Sequence, residues 1–509
     1  MSIVIGLDVG TSGTKAVAID EGGRLLASAL VEYPLHCPHP SWAEQNPADW
    51  EQAALEVLSR LAQSIDARAV KAIGLTGQMH GSVFLDADNK VIRPALLWCD
   101  QRTAPQCEAI NAKVGEQKLI ELVSNPALTG FTAPKILWLR DNEPQHYERL
   151  RKVLLPKDYI RYVLTGEFAT DVADASGTLL FDVKNRCWSQ SMITLLGLDP
   201  AILPRAYEGP EVTGTLSAQA AARTQLPAGI PVVAGGGDQA AGGIGCGVVR
   251  AGVVSASLGT SGVVFAFSDT VQTDPEGRVH TFCHAVPGKW HVMGVMLAAG
   301  GALRWFRDEL CGEEMERAAG SGRDPYEYIT ESAASIPPGS EGLVFLPYLT
   351  GERTPHKDPH AKGAFIGLSL KHTKAHMARA VLEGVSFGMR DGVEIMRGMG
   401  VAVSQVRISG GGARSSLWKQ IMADACGAPM VTINVDEGPA YGAAILSSVA
   451  AGLYDSVEQA CDSIIDETAR TPVDKESAAK LDPWYGEFKA LYPALAPRFR
   501  SMSALLGAP

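Results

Sequence analysis

The feature that most restricts how this chain can fold is written twice, about 250 residues apart. The first copy runs Ile3-Val4-Ile5-Gly6-Leu7, then Asp8-Val9-Gly10-Thr11-Ser12-Gly13-Thr14, then Lys15-Ala16-Val17-Ala18-Ile19. The second runs Val253-Val254-Ser255-Ala256-Ser257-Leu258, then Gly259-Thr260-Ser261-Gly262, then Val263-Val264-Phe265-Ala266-Phe267. β-Branched and apolar residues on either side of a Gly-rich tight turn predict a hairpin. Two such hairpins in matching strand context predict an internal duplication, and therefore two related lobes. Between the copies, Asn46 as cap, Pro47 at the first helical position and Trp50, Ala54, Val57, Leu58 and Leu61 at helical spacing predict a helix, followed by a short buried strand over Val70 to Leu75. Strands alternating with helices argue for an α/β protein. The length of 509 residues leaves room for at least two cores.

The copies differ in their acids. Asp8 stands beside the first turn, whereas Leu258 occupies the nearest equivalent place in the second, and another acid lies upstream in Val232-Val233-Ala234-Gly235-Gly236-Gly237-Asp238-Gln239. Each lobe is thus expected to contribute one Asp and one Gly-Thr-Ser turn to a shared cleft. Turns of Gly, Thr and Ser offer a phosphate free N–H groups and close hydroxyls with no side chain in the way. Lys15, four residues after Thr11, adds a positive charge there. A third glycine run, Gly410-Gly411-Gly412-Ala413, follows the strand-like Val406-Arg407-Ile408-Ser409 and opens a helix over Ser415 to Ala425, which presents bare backbone and a helix N-terminus to a ligand. One such segment alone is a tight turn; three, each after an apolar strand, point to a nucleotide. Two acids beside phosphate turns suggest a division of labour in which one supports Mg²⁺ and the other accepts the proton of an attacking hydroxyl.

Other nucleotide folds lack their fingerprints. The only Gly-Lys dipeptide, Gly288-Lys289, is followed by Trp290, so there is no Walker A loop, and the glycines of Gly242-Gly243-Ile244-Gly245-Cys246-Gly247 do not fall at dinucleotide spacing. Gln78, Met79 and His80 sit between Gly77 and Gly81, where His and Gln can hydrogen-bond a polyhydroxylated substrate and Met can supply an apolar wall. Trp98 can stack on a sugar face, while Asp100 and Arg102 read as a structural ion pair. The net charge of −11 disfavours nucleic acid. The least polar long stretch, Val232 to Phe267, carries Asp238 and Arg250 and is no membrane span. Nine scattered cysteines, no two separated by only two residues, predict a reduced cytoplasmic chain without a Cys-based zinc site, and no leader is read at the N-terminus. The pairs His280/His284, His356/His360 and His372/His376 lack the His-Glu-x-x-His form and read as ordinary histidines. From Asp455 onward the chain reads as helical packing without chemistry.

Several pieces together resemble the FGGY carbohydrate kinases, and within them the bacterial branch that phosphorylates D-xylulose. They are Asp8 to Lys15, Gly77 to Gly81, Phe131-Thr132-Ala133-Pro134-Lys135-Ile136-Leu137-Trp138, Leu155-Pro156-Lys157-Asp158-Tyr159, Gly235 to Asp238 and Gly351-Glu352-Arg353-Thr354-Pro355-His356. The resemblance runs from Ile3 to about Leu453. It implies an α/β, actin/Hsp70/hexokinase-like fold with two ribonuclease-H-like lobes around a central cleft. It also implies ATP with Mg²⁺, and phosphoryl transfer to the terminal hydroxyl of a small-molecule sugar, D-xylulose.

By the same resemblance, Asp238 and Asp8 are the catalytic pair: Asp238 is the proton acceptor and Asp8 supports Mg²⁺ and phosphate, with both placed at the metal. Gln78, Met79, His80, Trp98, Asp238 and Gln239 face the sugar. Thr11, Ser12 and Lys15 form one phosphate grip and Gly259, Thr260 and Ser261 the other, with Gly300, Gly411, Gly412 and Ser416 as the floor of the adenosine site. The implied domains are a sugar-binding lobe over 1–247, a nucleotide-binding lobe over 248–455 and a helical tail over 456–509. A homodimer is the expected assembly, with no nucleic-acid or membrane partner. Gln239 departs from the Asn common in this branch and leaves ribulose and glycerol as alternative substrates. An actin- or Hsp70-like conformational ATPase is the alternative of another class.

Overall fold

Strand Ile3–Val9 (β1) and strand Gly13–Asp20 (β2) form the first expected hairpin, in register from Ile3 opposite Asp20 to Val9 opposite Thr14. The computed structural model describes residues 1–435 and 437–505. Strand Leu25–Glu32 (β3) continues the meander, and Val70–Gly77 (β4) lies parallel to β1 on its other side. Beyond β4 come Pro231–Val233 (β6), then Val212–Thr215 (β5), so the sheet reads β5-β6-β4-β1-β2-β3. The short Gly236–Gly237 (β7) also pairs with β4.

The second hairpin is built the same way. Gly252–Leu258 (β8) pairs antiparallel with Gly262–Ser268 (β9), and Val403–Ser409 (β11) runs parallel to β8. With Trp290–Met296 (β10), Met430–Ile433 (β12) and Glu467–Thr471 (β13), the order is β10-β9-β8-β11-β12-β13. Each sheet therefore has the hairpin, then two strands parallel to its first strand and a final antiparallel edge, and the second sheet carries one more strand, His280–Cys283, outside β10. That shared order is the duplication expected from the repeated hairpin.

The chain divides into two compact units that interleave along the sequence. One comprises 1–250, 267–291 and 435–466; the other comprises 251–266, 292–434 and 467–509. In the first unit, the helix Gly438–Ala450 packs directly on the backbone of β1 and β4. Glycine makes this possible, because a Cβ on Gly6 would lie 1.8 Å from the Ala440 carbonyl oxygen and one on Gly74 would lie 1.9 Å from that of Ala443. The helix Pro47–Ser64, capped by Asn46 as the sequence predicts, buries Trp50, Ala54, Val57, Leu58 and Leu61 on the sheet. Burying such side chains stabilises a fold by about 1.5–3 kcal/mol each.

In the second unit the 25-residue helix Lys374–Gly398 is the central buried element. Within this unit Leu481, Tyr485, Phe488 and Phe499 of the helix Lys475–Leu505 pack against Tyr348 and Phe387. It also supplies a strand that a helical reading misses, since β13 pairs antiparallel with β12. His372 and His376 stand at the start of the helix Lys374–Gly398, where the His376 ring accepts from the Thr373 main-chain N–H at 3.1 Å.

Candidate active site

The first turn is closed by the Gly10 N–H donating to the Gly13 carbonyl at 3.0 Å, directly after the strand that carries Asp8. A ring of side chains holds the turn from below. The Thr11 hydroxyl donates to Gln78 Oε1 at 3.1 Å and accepts from the Trp98 indole at 3.0 Å. Gln78 Nε2 donates to Gln45 Oε1 at 3.0 Å, and Gln45 Nε2 donates to the Thr11 carbonyl at 2.7 Å. Gln78 is 1 % exposed, with its amide held between Thr11 and Gln45. Trp98 is 41 % exposed and keeps a face open while its N–H is tied to Thr11. Ser12 is exposed at the tip of the turn. Lys15 forms an ion pair with Glu437 at 2.5 Å, so the charge expected beside the phosphates has a carboxylate partner here.

Both acids lie in the first unit. This corrects the expectation that each lobe supplies one. The reason is strand pairing: β6 and β7 add to β4 of the first sheet and carry the chain into Asp238, the first residue of the helix Asp238–Gly245. Gly235 makes the entry possible with φ +77°, and a Cβ there would lie 1.7 Å from the Leu75 carbonyl oxygen. Each acid is only half-buried by surface exposure, yet protein surrounds both closely. Burial pushes Asp8 up to about 7, with the nearby Asp238 raising it further and Lys15 opposing. Burial pushes Asp238 up to about 6, opposed by hydrogen bonds from the Gln239 main chain and side-chain amide. Gln239 thus touches the acid beside it. Asp8 Oδ1 is buried with no hydrogen-bond partner among the described residues.

The loop after β4 completes the group. Met79 is buried and fills the space left by Gly237, where a Cβ would come within 2.7 Å of Met79 Cγ. His80 adopts φ +69° and packs on Phe131 with ring centroids 4.7 Å apart. Its Nδ1 lies 2.7 Å from the Gly177 carbonyl, which can only accept, so Nδ1 carries a proton. The His80 carbonyl accepts from Lys135 Nζ at 2.8 Å and from the Thr132 hydroxyl at 3.2 Å. Lys135 is fully buried, and burial pushes it down to about 7. Asp100 and Arg102 form the expected structural pair, with Arg102 Nε and Nη2 on the carboxylate at 2.8 to 3.0 Å.

The second unit carries a cavity of about 490 Å³. Of the residues expected at the nucleotide, Gly259, Thr260, Gly300, Gly411 and Gly412 line it; Ser261 and Ser416 do not stand in its wall, and Ser415 does. The Gly259-Thr260 turn is pinned by the start of the helix Gly300–Leu310, with Gly300 N–H donating to the Gly259 carbonyl at 2.8 Å and Gly301 N–H to that of Thr260 at 3.0 Å. Gly410 has φ +83° and brings the third glycine run against Leu258. Arg304, Tyr326 and Trp418 also line the cavity and were not singled out from the sequence. Arg304 is tied to the Thr260 hydroxyl at 2.9 Å. The punctuation Asp324-Pro325 before Tyr326, a helix cap and first helical position, was the available signal.

Paired Gly-Thr-Ser hairpins on duplicated sheets, with a nucleotide-sized cavity on one unit and an acid pair on the other, define an actin- and hexokinase-like phosphotransferase of two ribonuclease-H-like lobes. Residues 3–245 match the N-terminal domain of the FGGY family of carbohydrate kinases, and residues 254–451 match its C-terminal domain. The chain belongs to that family and is an ATP-dependent sugar kinase. It is 41% identical over 494 residues to a xylulose kinase of Escherichia coli strain K12, covering 97% of this chain and 99% of the relative. The solved structure of a "xyloylose kinase" from Brucella ovis superposes with a TM-score of 0.89 at 38% identity, covering 97% of this chain and 99% of that one. A xylulose kinase from Rhodospirillum rubrum gives a TM-score of 0.91 at 32% identity, covering 98% of this chain and 100% of that one. Among the described residues no helix is long and apolar enough to cross a membrane.

Proposed function

We propose that the chain transfers the γ-phosphoryl group of ATP to the terminal hydroxyl of D-xylulose, with Asp238 as the proton acceptor. The observation that carries this reading is Asp238 itself, a carboxylate beside Asp8 at the head of a helix, whose value near 6 leaves it ionised at neutral pH and basic enough to take a hydroxyl proton. His80, held by Gly177 and packed at a tilt on Phe131, and the open face of Trp98 are the sugar contacts. The buried Met79 shapes the floor beneath them. The cavity of the second unit takes the nucleotide.

The residues present fit Mg²⁺. Asp8 Oδ1 is a buried oxygen without a hydrogen-bond partner, and among the described residues no group of three or more potential ligands surrounds it. Mg²⁺ suits such a site, because it takes few protein carboxylates and fills its shell with water and phosphate oxygens. Asp8 would hold it with support from Asp238, and the ion would neutralise charge on the phosphate oxygens. The chain's own part is to place the sugar hydroxyl against Asp238, remove its proton and keep water from competing as nucleophile.

The test is a coupled assay of ADP release over a panel of D-xylulose, ribulose, glycerol and gluconate. D-xylulose should give the highest kcat/KM. A tenfold preference for another member would overturn the sugar assignment, and ATP consumption indifferent to every sugar would overturn the kinase mechanism. The chain is also proposed to act in the cytoplasm and as a homodimer. Leu368 and Leu370, exposed at 58 % and 108 % on one segment of the second unit, supply an apolar contact, and sedimentation velocity should give twice the chain mass of 53.9 kDa.

A further inference from the structure

Five ionisable side chains lie together in the core of the first unit and take no part in the chemistry above. Lys157, Asp158, Arg161, Asp171 and Asp174 all have side chains with 0% exposure. Lys157 Nζ stands 2.6 Å from Asp158 Oδ1, 2.7 Å from Asp171 Oδ2 and 3.0 Å from Asp174 Oδ2. Burying ions is expensive, and an apolar replacement of similar volume is often as stable, so stability alone does not account for such a cluster. What it touches does.

Arg161 stands one turn after Lys157 in the helix Pro156–Thr165, 3.9 Å from Asp158. Its guanidinium donates to the Val233 carbonyl at 2.7 Å, to the Ala234 carbonyl at 2.5 Å and to the Thr213 hydroxyl. Val233 and Ala234 lead into Gly235-Gly236-Gly237, which ends on Asp238. Pairing with β4 is made by Val232 opposite Ile73 and resumes at Gly236 opposite Thr76; between them Val233 pairs with Val212 of β5, and the Ala234 and Gly235 N–H groups donate to the Glu211 and Gly209 carbonyls at 2.8 Å, so on the β4 side the Val233 and Ala234 carbonyls are left to Arg161. At the other side of the cluster, Asp171 caps the helix Val172–Ser176 by accepting from the Ala173 and Asp174 N–H groups at 2.8 and 2.9 Å. That helix ends at Gly177, whose carbonyl holds His80.

We infer that Arg161 is a positioning residue for phosphoryl transfer: its fork grips the carbonyls of Val233 and Ala234 so that the three-glycine approach delivers Asp238 to one fixed place, while Lys157 and its carboxylates hold the fork. The inference rests on the reading of Asp238 as proton acceptor. A run of three glycines has no side chains of its own to fix it, and a clamp at its start matters because a base must be held to within about 0.5 Å to act. Arginine suits the task, since a planar guanidinium spans several acceptors in fixed geometry and an ammonium does not. Three carboxylates stand against two cations, and burial pushes Asp171 and Asp174 above the ordinary carboxylate range.

Arg161→Lys and Arg161→Met in the full chain, with Asp238→Asn in parallel, test this by steady-state kinetics on D-xylulose and ATP and by circular dichroism. A misplaced reacting group loses on the order of a hundredfold in rate, so Arg161→Met should lower kcat by about that factor and Arg161→Lys by about tenfold, with both KM values within about threefold of wild type. Partial rescue by lysine and a fall confined to kcat are what a merely structural role would not produce. If both variants keep kcat within about twofold of wild type while Asp238→Asn is inactive, this inference fails and the base assignment stands. If Asp238→Asn turns over normally, the base assignment fails and takes the inference with it. A parallel shift of kcat and both KM values also overturns it. Should the Arg161 variants not fold, Thr213→Val removes one partner of the same guanidinium. It should lower kcat by about threefold at unchanged KM, and an unchanged kcat overturns the proposal.

Discussion

Replacing Asp8 by Asn should make the protein more stable at pH 8 while impairing its Mg²⁺-dependent turnover. Burial, with Asp238 adding to it, raises Asp8 from 3.8 to about 7, which is a penalty of about 4 kcal/mol on the charged form in the folded state relative to the unfolded one. The sign follows from proton binding. Between the two values the native state holds a proton that the unfolded state has lost, so stability falls by up to about 1.4 kcal/mol for each pH unit gained from roughly 4 to 7. Above pH 7 the full penalty applies; below about 4 it vanishes.

Asn has the same shape and no charge. The side chain of Asp8 is only half-buried, so solvent screens part of the penalty, and the new amide N–H₂ needs acceptors of its own. The expected net gain is therefore about 1–3 kcal/mol at pH 8 and roughly a third of that at pH 5, where the folded Asp8 is mostly protonated but the unfolded one is not. Thermal denaturation followed by circular dichroism at both pH values, without nucleotide or Mg²⁺, should show a midpoint raised by several degrees at pH 8 and by clearly less at pH 5. Equal or lower midpoints for the variant at pH 8 would refute the claim that this carboxylate is held under strain.

The remaining expectations concern the neighbouring residues. Asp238→Asn should lower kcat by about a hundredfold or more in a coupled assay, with the sugar KM little changed, and near-normal turnover would remove Asp238 from its role. Because Asp238 sits at about 6, wild-type kcat should fall tenfold per pH unit as pH drops below 6 and level off above it, and a flat profile down to pH 5 would contradict this. Gly235→Ala should destabilise the first unit by more than about 3 kcal/mol in urea unfolding, since its Cβ would meet the Leu75 carbonyl oxygen at 1.7 Å; wild-type stability there would mean that the sheet yields. Tyr326→Ala should raise the KM for ATP by about tenfold through loss of an aromatic wall and leave the sugar KM alone, and the opposite split would move the nucleotide elsewhere.

What the amino-acid order determined by itself was local. The two Gly-Thr-Ser hairpins, the Asn46-Pro47 helix start and the glycine run opening the helix at Ser416 were legible, because alternation, capping and turn chemistry act over a few neighbouring residues. The doubled hairpin also carried the duplication into two lobes, though not the order of the strands around it. Tertiary structure decided the rest. Parallel pairing of β4 with β6 and β7 put Asp238 on the same unit as Asp8, a choice made between residues far apart in sequence and invisible in either segment alone. Gln78, placed by its type against a sugar, was claimed by Thr11 and Gln45, because a buried amide bonds to whatever the fold brings within reach. Arg304, Tyr326 and Trp418 share one cavity wall though they come from separate helices, and Arg161 meets Ala234 only after the first unit has closed. Charges and hydrogen bonds reach a few ångströms in space whatever the distance along the chain, so their partners become known only when the packing is.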